Sequence, residues 1–123
     1  MAEPTNQAAQ EVWFASLPNR RDYRIWGVKL SEEWVGACGI KNIDQRLKVA
    51  EYWGYIYPTE LRGRGLGWEM FRFLASQAVD MKIKKLWLRV SIKNKIALTS
   101  YERWGFSVVD NDEVNVVRME VTL

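Results

Sequence analysis

Residues 48–91 read KVAEYWGYIYPTELRGRGLGWEMFRFLASQAVDMKIKKLWLRVS, and this stretch decides the fold. Residues 48–57 are rich in aromatics and are closed by Pro58, which predicts a strand. A basic, glycine-rich turn follows over 59–67. The spacing then predicts a helix over 66–81: Leu66, Met70, Leu74 and Ala78 recur every fourth residue, with Phe71 and Ala75 beside them. Lys82, Lys84 and Lys85 come just past its end, where cations suit the helix dipole. Residues 85–91 alternate Leu86, Leu88 and Val90 against Trp87 and Arg89, which predicts a second strand. A strand–helix–strand unit within one sheet makes its two strands parallel.

Upstream of this unit, residues 22–30 and 34–43 read as a hairpin about Ser31-Glu32-Glu33, followed by a polar turn at 42–46. Residues 5–16 look helical, with Ala8, Ala9, Val12, Trp13 and Ala15 near helical spacing and Pro18 beyond. Downstream, a helix is expected over 94–104, stopped by Gly105 at the left-handed cap position. Strands over 106–109 and 114–121 follow, separated by a turn at Asp110-Asn111-Asp112. The fold class is therefore α/β (α+β), a mixed sheet with one parallel pair, flanking antiparallel hairpins and helices on both faces.

The 123 residues suit one domain. With 48% hydrophobic and 13% aromatic residues, seven of them tryptophan, the chain can bury a substantial core. The net charge of +3 suits an anionic small molecule, whereas a nucleic-acid binder carries a denser basic stripe. The absence of histidine removes imidazole as base, nucleophile or metal ligand, and no metal is expected. The single cysteine, Cys38, excludes an internal disulfide and reads as a small buried thiol rather than a nucleophile. No run approaches the ~20 apolar residues of a membrane span. Residues 1–10 lack a signal-peptide pattern, so a cytoplasmic protein without membrane partners is expected.

Two segments carry chemistry. In Arg62-Gly63-Arg64-Gly65-Leu66-Gly67 three glycines allow consecutive amides to face an anion, and the helix that starts there adds its positive end. The spacing is neither the dinucleotide fingerprint nor the P-loop. A plain strand-to-helix connection has the same composition. In the second segment, Asn94 stands at a strand-to-helix junction and Tyr101 follows two turns later on the same face. A phenol there can protonate a leaving group, and a capping Asn with a packed Tyr is the alternative.

Together the segments resemble the GNAT superfamily of N-acetyltransferases. Arg62, Gly65 and Gly67 fit its Gln/Arg-x-x-Gly-x-Gly/Ala pyrophosphate motif. Asn94, Ala97, Tyr101, Gly105 and Phe106 fit its Asn-x-x-Ala-x-x-x-Tyr-x-x-x-Gly-Phe motif. The resemblance runs from about residue 22 to the C-terminus. It implies a mostly antiparallel sheet with one splayed parallel pair, and acetyl-CoA as co-substrate. The pantetheine would lie in the splay against backbone near Ile56 and Tyr57, with Asn94 bonding it or an ordered water. The pyrophosphate would sit on the amides of Gly63, Arg64, Gly65, Leu66, Gly67 and Trp68, beside Arg62. An amine would attack the thioester directly in a ternary complex, and Tyr101 would protonate the CoA thiolate.

Arg89 stands where members acting on ribosomal protein N-termini often carry a glutamate, which leaves Glu51 as the candidate base beside a reading as a solvated carboxylate. Residues 11–17 resemble the Trp-Phe helix of members acting on amino-sugar nucleotides or protein N-termini, so one domain over 1–123 lacking the usual first strand and helix is implied. A homodimer and a small-molecule primary amine acceptor are implied too, an amino sugar ahead of a peptide N-terminus. Trp34, Trp53, Tyr55 and Tyr57 either line the acceptor cavity or fill the core. The competing functions are a catalytically inert CoA-binding or interaction module and, further off, a nucleic-acid-binding domain.

Overall fold

The computed structural model describes residues 12–17, 22–57 and 65–123. The elements in chain order are β1 (Val12–Ser16), β2 (Arg24–Leu30), β3 (Glu33–Asp44), β4 (Val49–Ile56), α1 (Leu66–Asp80), β5 (Lys85–Ser91), α2 (Lys95–Arg103), β6 (Ser107–Glu113) and β7 (Val116–Thr122). The seven strands form one sheet in the order β1-β2-β3-β4-β5-β7-β6. Only β4 and β5 run parallel. The other neighbours are antiparallel, so the mixed, mostly antiparallel sheet read from the sequence is the one that forms.

Two elements differ from their expected form. Residues 12–16 are a strand rather than the end of a helix, paired with β2 from Val12↔Leu30 to Ser16↔Trp26. Period two wins over the helical spacing because Val12 is buried and Phe14 stacks on Phe73 at 4.0 Å, while Trp13 between them is 48% exposed. The rest of the expected helix lies outside the described residues. The second change is the last hairpin, whose turn falls at Val114 and Asn115 rather than at 110–112. Asn115 takes the left-handed φ of 66 that the tight turn needs. Irregularities after Val108 and Asn111 absorb the polar residues into β6.

One face of the sheet is the core face. Trp26, Val28, Cys38, Ile40, Tyr52, Leu86, Leu88 and Met119 point there and are buried. α1 covers it: Phe73 packs on Phe14 and Trp26, and Phe71 meets Tyr52 edge to face at 5.4 Å. α2 covers the same side, since its Tyr101 and the capping Trp104 join Phe71 and Phe106 in one aromatic cluster. Each fully buried side chain such as Leu74 or Leu86 contributes ~1.5–3 kcal/mol. Helices were expected on both faces; the two described helices share this one. The second face carries Trp13, Trp34, Trp53, Tyr55 and Trp87 among charged side chains.

Both helices end in the same device. At α2, Phe106 N–H donates to Tyr101 C=O and Gly105 N–H to Glu102 C=O, with Gly105 at φ 106. At α1, Ile83 N–H donates to Ala78 C=O and Lys82 N–H to Val79 C=O, with Lys82 at φ 67. Both are Schellman caps, and glycine is the residue that enters the left-handed position without strain.

Candidate functional site

The parallel pairing of β4 with β5 covers only Val49–Glu51 against Lys85–Trp87. Beyond Glu51 the strands part, because each is held by its outer neighbour. β4 follows β3 as far as Gly36↔Ile56, and β5 follows β7 along its whole length. Tyr57 N–H donates to Val35 C=O at 2.8 Å, toward β3. Backbone groups alternate along a strand, so Gly54 and Ile56 turn theirs toward the opening. Of the two backbone positions expected to meet a pantetheine chain, Ile56 faces the gap and Tyr57 has its amide committed elsewhere.

Gly54 was not singled out from the sequence, although a glycine inside an aromatic strand signals close approach. A Cβ there would lie 2.9 Å from Met70 Cε and 3.0 Å from Tyr52 Oη. The bare backbone leaves room for Met70 and Tyr52 to pack against the strand edge that turns toward the opening.

α1 begins at the mouth of the same gap. Gly65 holds φ 82 and ψ 0 and supplies no side-chain cap. Its carbonyl accepts from Glu69 N–H at 3.1 Å. The N–H groups of Leu66, Gly67 and Trp68 have no partner among the described residues, which leaves three donors at the positive end of a 15-residue helix. A Cβ on Gly67 would lie 3.3 Å from Trp104 Cη2, so the start of α1 is packed directly against the end of α2. Arg62, Gly63 and Arg64 lie outside the described residues.

Asn94 caps α2. Its Oδ1 accepts from Ala97 N–H at 3.1 Å, which leaves the side-chain NH₂ able to donate. Tyr101, two turns on, is half-buried, with its ring 5.4 Å from Trp104 and 5.7 Å from Phe106. Burial raises the Tyr101 phenol above its ordinary value. Tyr52 is pushed well above its own, first by burial and then by the neighbouring Cys38 and Tyr101. Tyr52, Cys38 and Tyr101 are thus electrostatic neighbours on the helix face. Burial pushes the Cys38 thiol up to about 12, so it is a packed, protonated group.

Glu51 stands on the other face, at the point where the pairing stops. Asn42 Nδ2 donates to its Oε1 at 2.9 Å, and Lys41 Nζ lies 4.0 Å from its Oε2. Glu51 and Tyr101 therefore stand on opposite faces of the sheet, Tyr101 beside Tyr52 on the helix face. Arg89 is exposed on the Glu51 face and lies 3.9 Å from Glu113. The concavity of ≈ 450 Å³ lined by Ile92, Asn115 and Val117 lies at the β6–β7 turn, away from this gap. Among the described residues no group of three or more His, Cys, Asp or Glu is placed to hold a metal, and no helix is long and apolar enough to cross a membrane.

The model of the acetyltransferase (GNAT) family matches residues 2–106. Among solved structures, a chimera of the Vibrio cholerae spermidine N-acetyltransferase SpeG with hSSAT superposes with a TM-score of 0.74 at 20% identity, over 83% of this chain and 70% of that one. The PaiA N-acetyltransferase of Thermoplasma acidophilum, in complex with coenzyme A, gives 0.75 at 22% identity, over 83% and 62%. Spermidine N-acetyltransferase from Vibrio cholerae, in complex with CoA and spermine, gives 0.74 at 20%, over 83% and 66%. At such identities the likeness establishes the fold. The chain spans 62–70% of the length of these three proteins. No curated protein sequence matches.

Proposed function

Because this chain belongs to the acetyltransferase (GNAT) family, the acyl-CoA-dependent N-acetyltransferases, we propose that it transfers an acetyl group from acetyl-CoA to the primary amine of a small molecule. One observation carries the reading. The sheet opens after Glu51↔Trp87, with the backbone of Gly54 turned into the opening and the uncapped start of α1 at its mouth. An extended pantetheine fits such a strand edge, and a diphosphate fits the amides of Leu66, Gly67 and Trp68. The described residues thus suit acetyl-CoA, and the side-chain NH₂ of Asn94 is free of its capping duty to bond the pantetheine.

The two faces divide the proton work. Glu51 takes one proton from the incoming ammonium, directly or through water. The freed nitrogen lone pair forms the C–N bond to the thioester carbonyl carbon, and N–H groups lining the gap stabilise the developing oxyanion. As the C–S bond breaks, Tyr101 gives its proton to the departing sulfur. The second proton that the nitrogen loses as it becomes an amide restores the phenol by way of water, and Glu51 releases its own to solvent. A phenol raised by burial is a weak acid beside a thiol of ~8.5, so Tyr101 acts while the sulfur is taking up charge and not by prior ionisation.

The test is thermal and kinetic. CoA should raise the melting temperature, because a ligand that binds only the folded form stabilises it. Thiol release with an amine panel then separates an enzyme from a CoA-binding module without activity. A CoA-insensitive melting curve would remove both. Steep salt-dependent retention on nucleic acid would instead favour the remaining reading.

A further inference from the structure

The strand that presents Glu51 also presents a ring platform, and the nature of the acceptor follows from it if the acyl-transfer reading holds. Glu51, Trp53 and Tyr55 alternate with Tyr52 along β4 and stand together on the face away from the helices. The rings of Trp53 and Tyr55 are nearly parallel, 14° apart with centroids at 6.4 Å. The sheet beneath is cleared to receive rings. A Cβ on Gly39 would lie 2.9 Å from Trp53 Cζ2, and one on Gly27 would run into the ring of Trp34. Both indoles therefore lie over glycine backbone. Trp34 is 57% and Tyr55 55% exposed, so ring surface is presented to solvent on the face that carries the carboxylate, and Trp53 is the ring next to Glu51 along β4.

The charges on this face restrict what can stack there. Glu51 is held by Asn42 and Lys41, Glu120 by Lys85 and Arg118, and Glu113 by Arg89. Asp110 lies three strands from β4 and accepts from its neighbour's N–H. A polyamine needs further carboxylates for its further ammonium groups, and the cations already outnumber the carboxylates around Glu51. A sugar amine needs partners for its hydroxyls, whereas Gly27, Ala37 and Gly39 offer none from their side chains. A neutral aromatic ring asks for neither.

We propose that the acceptor is an arylalkylamine, with its nitrogen at Glu51 and its ring on Trp53 and Tyr55. One step from residue 51 to 53 along a strand is about 6.6 Å, which a linker of about two carbons bridges between a hydrogen-bonded nitrogen and a stacked ring. Aromatic stacking supplies the recognition and Glu51 supplies the proton acceptor.

The experiment uses the full chain at saturating acetyl-CoA and compares 2-phenylethylamine, glucosamine and spermidine by thiol release. 2-Phenylethylamine should exceed the other two at least tenfold in kcat/KM. Tyr55→Ala should raise its KM severalfold while kcat and the KM for acetyl-CoA stay within twofold. Preference for glucosamine or spermidine, or an unchanged KM in Tyr55→Ala, overturns the assignment. So does a fall in sedimentation mass on Tyr55→Ala, which would make the platform a contact between copies. Saturation-transfer NMR of 2-phenylethylamine without CoA reads the platform alone, and the CoA-induced melting shift reads the acyl-transfer assignment alone. Absent ring contacts in the first overturn the acceptor class, while an absent shift in the second overturns the activity.

Discussion

The ring of Tyr101 meets that of Trp104 edge to face, 5.4 Å between centroids and 75° between planes. Phe106, its ring centroid at 5.7 Å, is a second ring packed on Tyr101. Tyr101→Phe therefore removes an acid without removing a wedge. We expect kcat to fall about 10–100-fold, the low end of acid–base effects because a thiolate is a fair leaving group. Affinity for CoA should stay within twofold, and stability within about 0.5 kcal/mol. Steady-state kinetics with a binding isotherm checks this; unchanged turnover would take the acid role from Tyr101. Because burial raises the phenol, the alkaline limb it contributes should lie above the ordinary tyrosine range, with the acid function present below it and lost as pH rises through it.

Gly54 gives a test of the opening itself. In Gly54→Ala the new methyl meets the mobile end of Met70 at 2.9 Å and Tyr52 Oη at 3.0 Å, so the fold adjusts at a cost of about 1–2 kcal/mol. The strand edge turned toward the opening shifts with it. The KM for acetyl-CoA should rise at least fivefold while the far-ultraviolet circular dichroism is unchanged. A KM equal to that of the parent protein would move the cofactor away from this edge.

Most of the sheet was legible in the sequence because its strands alternate strongly and its turns carry polar or glycine punctuation. The parallel pair follows from one strand–helix–strand unit, and Gly105 marks the end of α2, where its φ is 106. What was not legible depended on partners. Val12, Trp13 and Phe14 fit a helix as well as a strand until Phe73 supplies the contact that makes Phe14 an inward residue. Asp110 and Asn111 look like a turn, and only pairing with Arg118 and Val117 keeps them in β6. At the site, residue types pointed to Tyr101 and Glu51, but the motif spacing carried no information that they face opposite sides of the sheet. Gly54 was hidden because its significance is the space it leaves for Met70 and Tyr52.

Cys38 is fully buried, and burial lifts its thiol to about 12. A folded-state value above the unfolded one means that its share of stability is complete below pH ~8.5 and is lost as pH climbs toward the folded value. Tyr52, raised for the same reason, adds to the alkaline loss at still higher pH. Denaturation midpoints should be flat in this respect up to about pH 8.5 and fall beyond it, less steeply in Cys38→Ala. A thiol reagent at pH 8 should label the unfolded chain fully and the native protein at no more than a hundredth of that rate. Rapid labelling of native protein would contradict the burial.

The two helix ends allow a matched pair of backbone substitutions. Lys82 and Gly105 occupy the same position in the same cap, at φ 67 and φ 106, and only one of them is glycine. A side chain in the left-handed region costs ~1–2 kcal/mol, and this cost is present in the native protein at Lys82. Lys82→Gly relieves it, against a larger loss of unfolded-state entropy for glycine of ~0.5–1 kcal/mol. The net expectation is a gain of ~0.5–1 kcal/mol, with the Ile83 N–H to Ala78 C=O bond of 2.9 Å retained. Gly105→Ala runs the other way: backbone strain of ~1–2 kcal/mol, offset by the ~0.5–1 kcal/mol regained in the unfolded state, leaves a loss of ~0.5–1 kcal/mol, since the nearest atom to its new Cβ, Val121 Cγ2 at 3.5 Å, is in ordinary contact. Urea unfolding of both variants measures the difference. Equal midpoints would mean that the two caps do not share the geometry their hydrogen bonds describe.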